Sequence, residues 1–474
     1  MFQTVLQKEI REMVRDGRLR LLGGLVMILA VAALAFGAQQ TWEAREAREQ
    51  ASERASEQWE SQGDKNPHVA AHYGTHVFAP TSVVTAIDPG VSPYLGRSIK
   101  MEAHKRNIAA HASAEEGSNL SLLGGFSVAS VLLELVPLLI IVLGHGLWSR
   151  ERESGTLRQL LSVGIERQTL FWGKTLALAA VVGGLLFPAA CAVVLVLWFI
   201  GGGDGATLLR LLMMGLSYVV YFAIFGCLTL WVSALSKSSR AALVAMVGIW
   251  GAVVLVVPRV ASEVALTARA LPSEGALMRD IAVGLERGVD GKMDRDVAVE
   301  AIIADLMAAQ DLANTGMLVQ GSEVQGLELR AEAQWEDLIH DHFIDDLQMK
   351  IAGQEGLVRM FGVISPFVAM RSLSAGLAGT DYAHHRHFSN AAELWRKELV
   401  RKLNEDFADN AGADGWDYQA GSDLWKKIPP FEYAQPSLSL ALKTHGLSVL
   451  VLLIWLSLSV VLARRAALVV RVTG

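Results

Sequence analysis

TLALAAVVGGLLFPAACAVVLVLWFI, residues 175–200, contains no charged side chain. About 20 apolar residues in a helix cross a ~30 Å hydrocarbon core, and this run exceeds that length. It is followed by Gly201-Gly202-Gly203-Asp204-Gly205 and then by a second apolar run, 207–235, whose one charge is Arg210. So short a link makes the two runs antiparallel neighbours. Pro188, near Gly183 and Gly184, predicts a kink that neighbouring helices must satisfy. Working outward, the runs 19–38, 120–147, 241–258 and 438–463 pass the same test.

The bulk composition agrees with this reading. Of the 474 residues, 52% are hydrophobic and 19% charged, against roughly 25% charged in soluble proteins. A net charge of −6 argues against nucleic acid as a partner. The two cysteines, Cys191 and Cys227, both lie in apolar runs, which excludes a disulfide framework.

Lysine and arginine near the span ends set the orientation. Residues 1–18 carry Lys8, Arg11, Arg15 and Arg18, with Arg20 just beyond. The loop 148–174 carries Arg150, Arg152, Arg158, Arg167 and Lys174, the next link Lys237 and Arg240, and the tail 464–474 Arg464, Arg465 and Arg471. The link 201–206 carries none. Both termini are therefore expected inside, with segments 39–119 and 259–437 outside. The first of these opens with Trp42-Glu43-Ala44-Arg45-Glu46-Ala47-Arg48-Glu49, a polar helix continuing the first span; its second half is rich in turn residues. The patterned stretch before the first span predicts an uncleaved anchor rather than a signal peptide. The expected fold is an all-α polytopic membrane protein with six transmembrane helices and a large, mostly helical extracytoplasmic domain made from two loops.

Several residues invite a chemical role. Phe2, Val5, Leu6, Ile10, Met13 and Val14 recur at helical spacing opposite Lys8, Arg11, Glu12, Arg15 and Asp16, predicting an amphipathic helix on the membrane surface. In the loop 148–174, Thr156 and Gln159 have the spacing of a capping box, and Gly164 can end the short helix so begun. Such a helix is suited to docking in a partner's cleft, or is a solvated loop. Gly173-Lys174-Thr175 imitates the end of a phosphate-binding loop, but Gln168 stands where the first glycine is required. Glu134, mid-span between Leu133 and Leu135, either lines a substrate path or makes a structural hydrogen bond. Arg210 is expected to snorkel to the interface. His68, His72 and His76 recur every four residues, and His384, His385 and His387 cluster beside Asp381. Neither set completes a zinc pattern, so no metal site is expected, His72, His76, His384 and His385 being the nearest candidates. No spacing marks a catalytic Ser/His/Asp set.

The run Glu151-Arg152-Glu153-Ser154-Gly155-Thr156-Leu157-Arg158, followed by Gly173-Lys174, resembles the first cytoplasmic loop of the type-two ABC permease family. The segment 1–18 is similar to that family's connecting helix. Two outer blocks resemble a bacterial branch with a large extracytoplasmic domain of unknown function. One runs from His72-Tyr73-Gly74 through Phe78-Ala79-Pro80, Asp88-Pro89-Gly90-Val91 and Tyr94-Leu95-Gly96 to Glu102-Ala103-His104. The other comprises Ser365-Pro366-Phe367, Leu373, Ala378-Gly379-Thr380-Asp381, His384-His385, Phe388, Ala392-Glu393, Arg396 and Asn404.

The resemblance implies an ABC transporter permease, an exporter in the bacterial inner membrane, with Glu151, Arg152, Glu153, Gly155, Thr156, Leu157, Arg158 and Leu161 coupling it to a separate ATPase. ATP and Mg would bind that ATPase subunit and no cofactor this chain; a second permease subunit, identical or related, would complete a dimer. Two rival readings stand beside it. One is a membrane-embedded hydrolase or acyltransferase using Glu134 or the outer histidines; the other is a receptor or scaffold with a ligand-binding outer domain.

Overall fold

A computed structural model describes residues 1–112, 126–201, 204–309 and 322–470. Among them six helices are long and apolar enough to cross a membrane: Leu19–Glu60, Val128–Glu153, Arg167–Ile200, Gly205–Leu235, Ser239–Ala268 and Leu438–Leu468. They are called here the first to sixth spans. The amphipathic helix α1 (Phe2–Arg15) precedes them. The first span and the charged run 42–49 form one helix, α2 (Gly24–Glu60). The third span stays helical through Pro188. Of the glycine link, Gly202 and Gly203 lie outside the described residues.

The fourth span is the hub. It packs against the second and sixth spans, burying Met214, Tyr218, Tyr221, Phe225 and Leu228 at helical intervals. Leu212, Leu216 and Val219 point outward, as lipid-facing residues do where the solvent is itself apolar. Two spans contain a π turn just ahead of a proline: Val131–Leu135 before Pro137, and Ala252–Val256 before Pro258. Proline has no N–H to give, so carbonyls there need other donors. Tyr221 supplies its hydroxyl to the Leu133 carbonyl at 2.9 Å, Trp250 its indole N–H to Glu134 O at 3.1 Å, and Ser365 its hydroxyl to Val253 O at 2.6 Å.

The segment between the fifth and sixth spans is not wholly peripheral. Pro366–Ala378 forms a helix of 13 residues, about 20 Å at 1.5 Å per residue and too short to cross. Phe367, Val368, Met370, Leu373 and Leu377 are nonetheless buried in the cluster that unites the spans. Val83, Val84, Ala86 and Ile87, from the first of the two segments expected outside and here called the outer segments, join the same cluster.

The remainder of the two outer segments packs together. The segment after the fifth span is mostly helical in its described parts, with long helices at Ser322–Met360 and Tyr382–Asn410 and an irregular stretch at 428–437. The first outer segment departs from expectation. After helix α3 (Pro67–Tyr73) it forms a four-stranded antiparallel sheet of β1 (Thr75–Phe78), β2 (Gly96–Glu102), β3 (Lys105–Arg106) and β4 (Ala110–Ala112). Val77 of β1 pairs with Ile99 of β2, and these residues with Met101 share one core with Phe388, Ala392 and Leu399 of the helix Tyr382–Asn410. Strands this short acquire their identity from that packing rather than from propensity. Arg106 clamps the sheet to the helices, donating to Asp341 at 2.7 Å, Asp345 at 2.9 Å and Asn390 at 3.1 Å.

Candidate functional site

The elbow after the second span is built around a buried group of charges. Lys174, at the start of the third span, is fully buried and reaches Glu9 of α1 at 2.7 Å and Glu151 at 2.9 Å. Lys8 joins Glu151 at 2.6 Å, Glu9 at 3.1 Å and Glu12 at 3.4 Å. Burial opposes the charge on Lys8, but Glu9 and Glu151 outweigh it and hold the ammonium well above its usual range. The Lys174 ammonium also lies 5.5 Å from the centre of the buried Trp148 ring, within cation–π reach. Three elements meet here because Gly173 lets them: a Cβ at that position would come within 2.6 Å of Val5 Cγ1.

Arg152 makes the second joint. Its guanidinium donates to Ala234 O at 2.6 Å and Ser236 O at 2.9 Å, capping carbonyls that the end of the fourth span leaves without partners. Ser233 accepts in turn from the backbone N–H groups of Trp148 and Ser149, at 3.1 and 3.2 Å. The elbow is thereby fastened to α1, to the third span and to the fourth.

Beyond it the chain turns at Gly155, whose φ of +75° few side chains accept, into the helix Thr156–Ser162. Leu157 is fully buried and Leu160 and Leu161 pack partly on the core, while Glu153, Arg158, Gln159, Ser162 and Val163 are exposed. The expected capping box does not form: Gly155 is the N-cap and Thr156 already the first helical residue, so neither side chain stands where the box needs it. Gly164 does follow the helix with φ of +84°. Of the eight residues singled out in this loop, Glu151, Arg152, Leu157 and Leu161 thus point inward as anchors. Glu153 and Arg158 face out, and Gly155 and Thr156 form the turn. Lys8, placed by periodicity on the polar face of α1, instead turns into the ion cluster with Glu9. The signal was present: Val5, Glu9 and Met13 are spaced four apart and all three are buried, so an acid occupies the apolar stripe and needs a cation.

At the other end of the fourth span lies a cavity of about 870 Å³, lined among others by Phe36, Arg210, Asp381, His384, His385 and Tyr433. This volume is within the range of small-molecule sites. Asp381 caps the helix Tyr382–Asn410 through the His384 N–H at 3.0 Å and binds the His384 ring. It also accepts from His445 Nε2 of the sixth span at 2.6 Å, and Ser372 holds the other nitrogen of that ring at 3.0 Å. Burial would raise the Asp381 carboxyl, but the two imidazoles pull it well below the usual range. His385, half-buried in the cavity wall, is pushed down to about 4 by desolvation. Arg210 does not snorkel: it is buried, donating to Leu377 O at 3.2 Å and Pro436 O at 2.7 Å. Helix ends folded back into the bundle need such a donor. Glu134 is half-buried in its π turn.

The histidines regroup. His76 lies on β1, away from His72. His68 and His72 of α3 are joined instead by His104 from the turn between β2 and β3, the three offering nitrogens within 4.8 Å of one another. His384 and His385 belong to the cavity wall. Periodicity missed His104 because its position depends on a strand pairing.

No curated protein matches the chain. Residues 3–466 match the family described as ABC-2 family transporter protein. The matched stretch runs from α1 through all six spans and both outer segments, so this multi-pass membrane protein belongs to the ABC-2 transporter family, as its membrane-embedded transport component.

Proposed function

We propose that this chain is the permease subunit of an ATP-driven exporter and takes its motion from a separate ATPase at the helix Thr156–Ser162. The observation that carries the reading is the largely buried ion cluster of Lys8, Glu9, Glu151 and Lys174 at the elbow that leads into that helix. A push on Arg158, Gln159 or Val163 reaches α1 and the third span through Lys174, and the fourth span through Arg152. The excess of Lys and Arg at this end supports a cytoplasmic elbow and cytoplasmic termini. The outer segments then stand outside the cytoplasmic membrane.

A second permease subunit, identical or related, completes the path, and the ATPase subunits bind ATP and Mg. Apolar, lipid-facing spans and the cavity beside Phe36 and His385 favour an amphipathic cargo released outward. The test reconstitutes the chain with its co-purifying ATPase in vesicles. Glu153→Ala and Arg158→Ala should retain the ATPase yet lose ATP-driven movement of labelled lipid or amphipathic cargo. Unchanged transport in both variants would overturn the assignment. Turnover by the isolated chain without ATPase would favour the enzyme reading, and ligand binding without movement the receptor reading.

A further inference from the structure

The three histidines at the sheet face one another in a way hydrogen bonding alone does not satisfy. His104 Nδ1 is bound to the Glu336 carboxylate at 2.6 Å, and His68 Nδ1 to Asn404 Oδ1 at 3.1 Å. Each acceptor fixes its ring with the proton on Nδ1, which leaves the Nε2 atoms as bare lone pairs. Those two Nε2 atoms lie 3.4 Å apart, and His72 Nε2 is 3.1 Å from His68 Nε2. A proton on His72 serves only one neighbour. A cation between them serves all three.

The dimensions agree with a metal. Zinc–nitrogen bonds of about 2.0–2.1 Å in a tetrahedral site separate the nitrogens by about 3.3 Å, a value that the 3.1 and 3.4 Å separations bracket. A ligating histidine ordinarily gives its other nitrogen to a carboxylate or carbonyl, the arrangement that Glu336 and Asn404 provide. The backbone points the same way: His104 adopts φ of +63°, a left-handed conformation costly for a side chain with a Cβ. That conformation brings its ring to the other two.

We infer that His68, His72 and His104 bind a zinc ion, or a divalent ion of the same borderline class, through their Nε2 atoms, with a fourth position open beside the exposed His72. The ion ties α3 to the turn between β2 and β3. Through Glu336 and Asn404 it ties both to the helices of the second outer segment, so the two outer segments share one metal centre. Its open position makes the ion exchangeable and able to hold water or an anionic group.

The test uses the full chain, without a polyhistidine tag, purified in detergent and stripped with chelator. Titration with Zn²⁺ against a chromophoric competitor should return one ion per chain, and Co²⁺ should give the absorption of a tetrahedral nitrogen site. His72→Ala, at an exposed position, and His104→Ala should each weaken Zn²⁺ by more than about 100-fold, since second-shell changes alone cost about 10–100-fold. Glu336→Gln should fall between them and the parent, and His76→Ala should bind as the parent does. Zn²⁺ should raise the unfolding temperature of the parent and not of His72→Ala. Monodisperse parent chain that takes up no Zn²⁺ at micromolar concentration would overturn the inference. So would His72→Ala binding as tightly as the parent.

Discussion

Replacing Lys174 by Met keeps the length of the side chain and removes its charge from a site with no solvent access. At an effective dielectric of about 20, its 2.7 Å and 2.9 Å contacts to Glu9 and Glu151 are each worth about 6 kcal/mol of gross attraction. Desolvation of the ions offsets most of that in the parent. In the variant the Glu9 and Glu151 carboxylates remain buried with only Lys8 to balance them, and the structure must expel one or protonate it. Breaking a buried pair in this way costs about 3–5 kcal/mol. Because α1 is held to the third span by this cluster and by the Val5–Gly173 contact, the cost falls on the docking of α1. Trypsin cleavage at Arg11 and Arg15 measures that docking, since a helix must open locally before a protease can cut it. Where opening is fast, a loss of about 3 kcal/mol raises the cleavage rate by about 100-fold or more. The double variant Glu9→Gln with Lys174→Met removes both partners and should recover at least about 1 kcal/mol relative to the sum of the singles. Strict additivity, or cleavage of Lys174→Met at the parent rate, would refute the view that the cluster holds α1 in place.

Tyr221→Phe strips the Leu133 carbonyl of its donor beside Pro137, where no backbone N–H can replace it. A stability loss of about 1–3 kcal/mol is expected, read as a lower unfolding temperature in detergent, and an unchanged temperature contradicts the role given to the tyrosine. Burial, and then the nearby Asp381 charge, raise the Glu355 carboxyl from 4.5 to about 7. The folded chain therefore binds this proton more tightly than the unfolded one, and Glu355 contributes stability below pH 4.5 that is lost as pH rises to about 7. Unfolding temperatures of the parent and of Glu355→Gln between pH 5 and 8 should diverge with the parent declining; parallel profiles count against it.

The arrangement has a physical consistency beyond any one contact. Carbonyls freed by Pro137 find Tyr221 and Trp250, and carbonyls at the end of the fourth span find Arg152. In hydrocarbon no water supplies these partners, so side chains from neighbouring spans must. The same demand explains why Arg210 turns inward to Leu377 and Pro436 rather than outward to the interface.

The sequence by itself determined the six spans, the polar extension of the first, the turns at Gly155 and Gly164, and the family. Each is a local property: partition into a membrane is decided segment by segment, and a glycine at positive φ answers to its own backbone. Only the tertiary structure decided which charged residues are anchors and which are exposed. Lys174 meets Glu9 across 165 positions of chain and His104 meets Glu336 across 232, separations at which periodicity carries no information. Likewise the helix Pro366–Ala378 reads as part of an outer segment because it is too short to span. It is buried among the spans because its apolar residues surround it, and only neighbouring helices can cover every side. The elbow with which the function is argued stands on both sources: its turn is written locally, and the buried charges beneath it were assembled by the fold.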